Sequence, residues 1–437
     1  MLSVLAIGGS DSSSGAGIQA DLKTFSMLGL HCATVITCIT AQSTETIKKI
    51  YPLPVEAIAE QFDTVIKDMD IQYVKTGMLH SAEIVKLVAE KISKYNLKAV
   101  VDPVMKSTTN IKLVEQNFIN SLRKYLIPET FILMPNLYEA STIIGKEVKN
   151  ICDMELACKE LYKSGAKYII IKGGHLEKEA VDILYDGKNF KRYSSPKLIA
   201  KAHGSGCSYS ALITGLIAKD LKIENAIENA KNLITKMILA SYKPGKGVDV
   251  VSQYAIVEDD VEKYRVLKEL KEGVEWVKEN LPLQLAPEVG INFVYALPNA
   301  TSLQDVCGIE GRMVKVGNRL KRVGKIEFGK SKHIATAVLT AMRYDKSIRS
   351  AMNIKYSEEI LERARASRLK ISSFDRSKEP QEEKISTMEW GTSSAIKKAG
   401  FVPDIIYDKG ALGKEAMIRI LGKSPKDVTL KLLKLSR

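Results

Sequence analysis

Two glycine-bearing turns and a handful of charged residues carry most of the chemistry legible in this chain. The segment His203-Gly204-Ser205-Gly206-Cys207 runs into the apolar stretch Ala211–Ala218. Glycines entering a helix leave several backbone N–H groups without intrahelical partners, and the helix dipole adds positive potential, so the pattern predicts an anion hole. A transferring phosphoryl group needs such positioning and charge stabilisation more than covalent help. Cys207 falls where the dipole is expected to lower a thiol pKa. Read alone, the segment also fits a glycine turn beside a buried cysteine.

Four further pieces follow apolar runs. Gly8 to Gly17 (GGSDSSSGAG) closes the first run, and a helix is expected from about Ile18. The turn lacks the lysine of a P-loop and is not a clean dinucleotide fingerprint, so it reads as a place where a ligand can approach backbone closely. Asn136 and Glu139 come after Phe131–Met134 and Pro135. Three apart, they share a helical face and are candidates to hold a hydrated Mg²⁺ beside ATP phosphates. Lys172-Gly173-Gly174-His175 offers a cation to the phosphates, and Asp102 in Asp102-Pro103-Val104-Met105 offers a carboxylate.

The last third of the chain holds a second set: Gly311-Arg312, Gly329-Lys330-Ser331-Lys332-His333, Met352-Asn353-Ile354, Phe374-Asp375-Arg376, and Asp408-Lys409-Gly410 to Gly413-Lys414-Glu415. Glycine beside Lys or Arg suits phosphate binding by backbone and side chain together. His333 precedes the helical run Ile334–Met342, where a capping role is the plain alternative, and Arg312 alone would pass for a surface charge.

Elements must place these groups. Through the first 250 or so residues, strand-like runs (Val4–Ile7, Ala33–Ile39, Tyr73–Thr76, Ala99–Val101, Phe131–Met134, Tyr168–Lys172) alternate with helical patterns such as Ala82–Tyr95 and Asp153–Ser164. That alternation predicts an α/β fold with a mostly parallel sheet covered by helices on both faces. Ligands bind such sheets at the carboxyl ends of the strands, where the unusual residues fall. Ser252–Glu262 reads as a linker and Val261–Asn280 as a long charged helix. Leu281–Asn299, with Pro282, Pro287 and Pro298, reads as turn-rich, ahead of a second, smaller α/β domain.

With 437 residues, two or three domains are expected. Lys and Arg number 31 against 29 Asp and Glu in residues 1–261, but 34 against 22 in residues 262–437, so most of the net charge of +14 lies in the last part. The asymmetry supports a boundary near 255–262, with domains at 1–255 and 262–437. A basic domain suits nucleic acid or phosphorylated small molecules; small molecules are expected here, with no nucleic acid. No run reaches the roughly 20 apolar residues of a membrane helix, and the start MLSVLAIGGSD reads as a strand rather than a signal peptide. The six cysteines form no C-x-x-C pair, which argues for a reducing, cytoplasmic setting.

The wording of the first domain is specific. AIGGSDSSSGAGIQADLKT at 6–24, Ala41-Gln42, Thr76-Gly77-Met78-Leu79, DPVM at 102–105, PNLYEA at 135–140, KGGH at 172–175 and HGSGC at 203–207 resemble the hydroxymethylpyrimidine/phosphomethylpyrimidine kinases, which are ribokinase-like. The resemblance covers about residues 1–252. It implies two ATP-dependent phosphorylations in one pocket, with Gln42 hydrogen-bonding the aminopyrimidine, Asp21 near the hydroxymethyl side and Met78 packing on the ring. It further implies that Gly204, Ser205, Gly206 and Cys207 form the anion hole, and that Cys207 assists deprotonation where most ribokinase relatives carry Asp. Ser14, Ser43, Thr76 and Ser205 depart from the family's usual residues. Lys243–Gly247 (KPGKG) is a candidate nucleotide contact.

Residues 287–424, with PEVGINFVYALPNA, DVCGIEGR, FGKSKHIATAVLTAMR, MNIKYSEEI, FDR, PDIIYDKG and GKE, resemble a thiamine-phosphate synthase family unrelated to the barrel-fold enzyme. That resemblance implies that Arg312 and His333 are the functional pair, joining a pyrimidine pyrophosphate to thiazole phosphate. Lys332, Arg376 and Lys414 are weaker phosphate-binding candidates. Arg, Lys and Mg²⁺ suit the departure of pyrophosphate. A kinase fused to a non-catalytic thiamine-phosphate sensor is the alternative, since the same domain type occurs as a sensing module. Both resemblances imply homodimers.

Overall fold

Nearly continuous burial along the first strand sets the architecture. In β1 (Ser3–Asp11), Val4 and Ala6 face one hydrophobic cluster while Leu5 and Ile7 face another. A strand buried on both sides belongs at the centre of a helix-covered sheet. The structure is a computed structural model describing residues 1–436 except 108–110, 175, 177–178, 199–201, 381–385 and 412. It divides into two compact units, Met1–Glu258 and Asp259–Arg437.

The first unit's other strands are β2 (His31–Gln42), β3 (Ile47–Pro52), β4 (Ile71–Thr76), β5 (Lys98–Val101), β6 (Thr130–Leu133), β7 (Tyr168–Ile171), β8 (Glu179–Tyr185) and β9 (Phe190–Pro196). They form a nine-stranded sheet in the order β3-β2-β1-β4-β5-β6-β7-β8-β9. The stretch from β2 to β7 is parallel; β3, β8 and β9 add antiparallel edges. The helices are α1 (Gly17–Met27), α2 (Val55–Asp68), α3 (Ala82–Lys94), the short α4 (Phe118–Ser121), α5 (Leu137–Ile144), α6 (Ile151–Lys163), α7 (Ser205–Ala218) and α8 (Ile223–Leu239). Phe25 of α1 packs with α7 and α8 on one face, and α2, α3 and α6 cover the other. Helix α7 is buried on nearly every side from Ser208 onward, as the unbroken apolar run Ala211–Ala218 demands.

The expected linker Ser252–Glu262 takes a different form. Gln253–Ile256 is a 3-10 turn with Gln253 and Ala255 buried in the first unit, and α9 (Glu258–Asn280) starts two residues later. Ala255 gives the segment an apolar anchor that its acidic composition obscures. The turn-rich reading of Leu281–Asn299 also needs correction: it contains β10 (Phe293–Ala296), a fully buried strand inside its sheet. The prolines lie outside the strand, so they bound it without interrupting its ladder.

The second unit continues with β11 (Val306–Ile309), β12 (Met313–Val316), β13 (Arg319–Arg322), β14 (Ile326–Phe328), α10 (Lys332–Met342), β15 (Ser350–Lys355), α11 (Glu358–Ala366), β16 (Ile371–Ser373), α12 (Thr387–Ala399), β17 (Ile405–Asp408), β18 (Met417–Gly422) and α13 (Pro425–Ser436). Its seven-stranded sheet, ordered β14-β11-β10-β15-β18-β17-β16, is antiparallel except between β16 and β17. Helices α9, α11 and α13 cover one face, while α10 and α12 cover the other. Among the described residues no helix is long and apolar enough to cross a membrane.

Candidate active sites

The carboxyl ends of the parallel strands gather most of the first unit's expected site residues. Asp11 ends β1, Gln42 ends β2, Met78 follows β4, Asp102 follows β5, Asn136 follows β6 and Lys172 follows β7. His175 lies outside the described residues.

Gly204 caps α7 in the left-handed region (φ 84°), and a Cβ there would meet the Gly15 carbonyl oxygen at 1.9 Å. Only glycine lets the two turns approach this closely. Ser208 N–H is the first in the helix to bond back, to Gly204 O at 2.9 Å, so the N–H groups of Ser205, Gly206 and Cys207 have no intrahelical acceptor. These are the backbone N–H groups that the expected anion hole would use. Gly206 faces a charge pair: a Cβ on it would lie 3.9 Å from Asp102 Oδ2 and 4.0 Å from Lys172 Nζ. Lys172 Nζ contacts Asp102 Oδ1 at 2.5 Å, both nearly buried, and Ser210 Oγ donates to Asp102 Oδ2 at 3.3 Å.

Asn136 and Glu139 are engaged in a way the spacing alone leaves open. Asn136 Oδ1 accepts from Glu139 N–H at 2.9 Å, and Glu139 Oε2 accepts from Asn136 N–H at 2.8 Å, forming a capping box at the start of α5. Burial pushes the Glu139 carboxyl up to about 7, against the pull of Lys172. Among the described residues no cluster of three or more His, Cys, Asp or Glu suits a metal. Asp102 and Glu139 therefore fit a Mg²⁺ held largely by phosphates and water, since each carboxylate already has protein partners.

Asp21 is almost fully buried and bonds Lys75 Nζ through both oxygens, at 2.9 and 2.8 Å. Its carboxylate is committed to that pair, although burial pushes it up to about 6. Lys75, buried within β4 (IQYVKT), is a residue the motifs did not flag. Asp11 is another. Burial pushes its carboxyl up, but hydrogen bonds from His203, Ser13 and Ala16 prevail and hold it down at about 2. Its oxygens accept from the N–H groups of Ser13, Gly15 and Ala16 at 2.8, 3.1 and 2.8 Å, which folds the glycine turn.

Cys207 does not follow the dipole argument. Burial pushes its thiol up to about 11, and the charges of Asp21 and Asp102 reinforce this against Lys75 and the Gly17 N–H. Desolvation of a thiolate here outweighs the helix terminus, so at neutral pH Cys207 is a thiol.

Met78 joins Cys38 and Leu113 in a small apolar cluster, with Cys38 Sγ 3.9 Å from its Sδ. Gln42 lines a small cavity with Thr44, Ile47, Ser107, His203 and Val248. Lys243–Gly247 docks on the β2–β3 loop, with Gly247 N–H donating to Thr44 Oγ1 at 2.9 Å, beside the Gln42 cavity rather than at the Lys172 end.

In the second unit, α10 begins at Lys332 behind Ser331, so His333 sits in its first turn and Ser331 is the cap. Burial and the nearby charges of Arg312, Lys332, Arg419 and Arg376 lower the His333 pKa. Those five basic side chains thus share one neighbourhood. Arg312 donates to the Val289 carbonyl, and Glu415 accepts from Glu288 and Val289 N–H at 3.1 and 3.2 Å. Asp408 is buried between Arg376 Nε at 2.6 Å and Arg419 Nη1 at 2.8 Å. Burial lowers the Arg419 pKa against the pull of Asp408, and its Nε has no partner among the described residues. Arg419 escaped sequence reading, though an arginine inside the apolar strand MIRILG was the signal. Lys414 is exposed on the turn where its backbone pairs with Ala411.

The two units resemble known proteins in sequence, and the first also in fold. Residues 11–252 match the phosphomethylpyrimidine kinase family, and residues 269–434 match thiamine-phosphate synthase ThiN. Over 436 residues, 98% of this chain and 97% of the relative, the sequence is 37% identical to the bifunctional thiamine biosynthesis protein ThiDN of Methanocaldococcus jannaschii. It is 37% identical over 255 residues to the hydroxymethylpyrimidine/phosphomethylpyrimidine kinase of Bacillus subtilis, covering 57% of this chain and 94% of that one. An ADP complex of Bacillus subtilis pyridoxal kinase matches with a TM-score of 0.54 at 35% identity, covering 59% of this chain and 98% of that one. The Staphylococcus aureus pyridoxal kinase with AMP-PCP gives 0.55 at 32%, covering 58% and 94%. The nine-stranded unit has the expected ribokinase-like fold. The chain belongs to the family of bifunctional thiamine-biosynthesis enzymes that join a phosphomethylpyrimidine kinase domain to a ThiN-type thiamine-phosphate synthase domain.

Proposed function

We propose that residues 1–255 phosphorylate 4-amino-5-hydroxymethyl-2-methylpyrimidine twice in succession with ATP, and that residues 262–437 join the resulting pyrophosphate to thiazole phosphate, giving thiamine phosphate and pyrophosphate. The observation that carries the first half is the row of N–H groups at Ser205, Gly206 and Cys207 without an intrahelical acceptor, set beside Lys172 and Asp102. The γ-phosphoryl group sits in that hole while Lys172 neutralises its oxygens. Asp102 and Glu139 would hold a Mg²⁺ brought by ATP, which would supply shielding of the phosphate charge. Cys207 contributes its N–H and shapes the hole; a thiol raised to about 11 is a poor base. Gln42 reads the ring and Met78 packs on it, while Asp21 acts one step back, through Lys75.

For the second half, Arg312 binds a phosphate group. His333, its pKa lowered, is neutral at physiological pH and donates its remaining N–H to departing pyrophosphate. Lys332 and Arg376 add positive potential, and Lys414 joins only if its turn moves. A sensing role for this unit has less support, because the whole-length relative carries a biosynthetic name. We take the enzyme to be a cytoplasmic homodimer; six free thiols are in keeping with a reducing compartment, and sedimentation of the full chain tests the dimer. Similarity to pyridoxal kinases makes pyridoxal the rival alcohol. Turnover of the two alcohols by the full chain, with ATP and Mg²⁺, tests the assignment: the pyrimidine is expected to be preferred, and a preference for pyridoxal would overturn it.

A further inference from the structure

Gln42 does not stand alone at its cavity. Its carboxamide nitrogen lies 3.0 Å from His203 Nε2, and that same ring nitrogen lies 3.1 Å from Asp11 Oδ2. The carboxamide oxygen lies 3.2 Å from Thr40 Oγ1, which is also 2.9 Å from the Ser10 carbonyl oxygen.

Counting protons across this group leaves one arrangement without conflict. Asp11 accepts from three backbone N–H groups, as an ionised carboxylate does, so it can only accept from the imidazole. His203 Nε2 therefore carries a hydrogen. The Ser10 carbonyl also only accepts, so the single Thr40 hydroxyl proton goes there and leaves Thr40 Oγ1 as an acceptor. The one Nε2–H of His203, with Asp11 Oδ2 at 3.1 Å and the Gln42 carboxamide at 3.0 Å, is shared between them as a three-centre bond, and Thr40 offers an acceptor. Both are satisfied when the carboxamide is turned about its Cγ–Cδ bond, with Oε1 towards His203 and Nε2 towards Thr40. The other His203 tautomer would set a bare ring nitrogen against the Asp11 carboxylate. A protonated ring gives the same answer as the Nε2–H form.

A carboxamide has two acceptor positions and two N–H groups. His203 and Thr40 occupy one of each, which leaves one acceptor and one donor. An aminopyrimidine presents the complement, an exocyclic amino donor beside a ring-nitrogen acceptor. His203 is held firmly enough to orient its neighbour. Its backbone N–H bonds Asp249 O at 2.7 Å, its carbonyl accepts from Val251 N–H at 3.2 Å, and a Cβ on Gly15 would meet its ring at 2.4 Å.

We propose that His203, held as an Nε2–H donor by Asp11, is a positioning residue that orients the Gln42 carboxamide so that its remaining acceptor and donor select an aminopyrimidine. The proposal rests on the pyrimidine-kinase reading above and goes beyond it by making selectivity depend on a residue that need not touch substrate.

The test uses the full chain, ATP and Mg²⁺ with two alcohols, 4-amino-5-hydroxymethyl-2-methylpyrimidine and its analogue lacking the 4-amino group. His203→Phe keeps a ring and removes the donor, whereas His203→Gln keeps an N–H donor. In His203→Phe, kcat/KM for the aminopyrimidine is expected to fall about tenfold, mainly through KM, the scale of one lost orienting hydrogen bond. The loss for the analogue should be at least about fivefold smaller, and His203→Gln should recover most of the preference. Equal losses on both alcohols, or an undiminished preference in His203→Phe, would overturn the positioning role. Should His203→Phe fold poorly, His203→Leu and His203→Gln carry the same comparison. Gln42→Ala separates the two levels: if it loses the preference while the donor-less His203 variants keep it, only the positioning role fails. If Gln42→Ala keeps the preference, the reading of Gln42 as the ring's partner fails and takes the positioning role with it.

Discussion

Towards the carboxyl ends of the parallel strands, Lys75 lies 2.8 Å from Asp21 and Lys172 lies 2.5 Å from Asp102. Around His333, by contrast, the charges of Arg312, Lys332, Arg376 and Arg419 converge, with Asp408 paired to two of them. The first site arranges buried charge in near-neutral pairs and adds backbone N–H groups for the anion. The second keeps an excess of cations. A kinase whose nucleotide arrives with its own metal needs little net charge from the protein. A site that receives two phosphorylated molecules and must stabilise departing pyrophosphate needs more.

The largest effects should come from removing the cation each site depends on. Arg312→Ala should slow condensation of supplied pyrimidine pyrophosphate with thiazole phosphate by about 10²–10³, with phosphorylation of the alcohol unchanged. A loss below about threefold would remove Arg312 from the reaction. Lys172→Met should lower kcat of phosphorylation by about 10². Cys207→Ala should cost only about tenfold, because a thiol raised to about 11 is not a base at neutral pH. A Cys207→Ala loss near 10⁴ would restore the base.

Stability sharpens the contrast. Asp408→Asn leaves Arg419 buried without its charged partner and should destabilise the second unit by about 3 kcal/mol or more in denaturant titration. A change below about 1 kcal/mol would mean that the pair is well solvated. Glu139 is a milder case. Its carboxyl is raised to about 7 in the folded state from an ordinary 4.5, so the folded form holds more protons than the unfolded form between those values. Its contribution is therefore most favourable below about pH 4.5 and declines as pH rises towards 7. Glu139→Gln can keep the capping box and should flatten that decline; an unchanged pH profile would contradict the raised value. The smallest effect is expected at Ser14, a non-glycine residue in the left-handed region at φ 59°. Ser14→Gly should raise stability by less than about 1 kcal/mol, read as a small upward shift in Tm.

How much of this was legible in sequence differs between the two sites. Strand ends could be read because parallel βαβ units place ligand-binding residues right after apolar runs, as with Asp102, Asn136 and Lys172. The anion hole at 204–207 was legible for the same reason. Lys75 and Arg419 escaped because their partners, at Asp21 and Asp408, lie 54 and 11 residues away, and the pairing of Asp11 with His203 spans 192 residues; local patterns do not reveal such pairings. The Asn136–Glu139 spacing was read as a metal site when it also describes a capping box, and only coordinates separate those uses. The second unit was legible only as α/β and not as a mainly antiparallel sheet, since five of its seven strands, such as Phe293–Ala296, have three or four residues and are too short to show a period.

The central claim is that two separate sites perform consecutive steps. The full chain with the pyrimidine alcohol, ATP, thiazole phosphate and Mg²⁺ should form thiamine phosphate. Arg312→Ala should accumulate the pyrimidine pyrophosphate. Cys207→Ala should make thiamine phosphate slowly from the alcohol but at the unaltered rate when the pyrimidine pyrophosphate is supplied. Equal slowing of both steps by either substitution would contradict two separate sites.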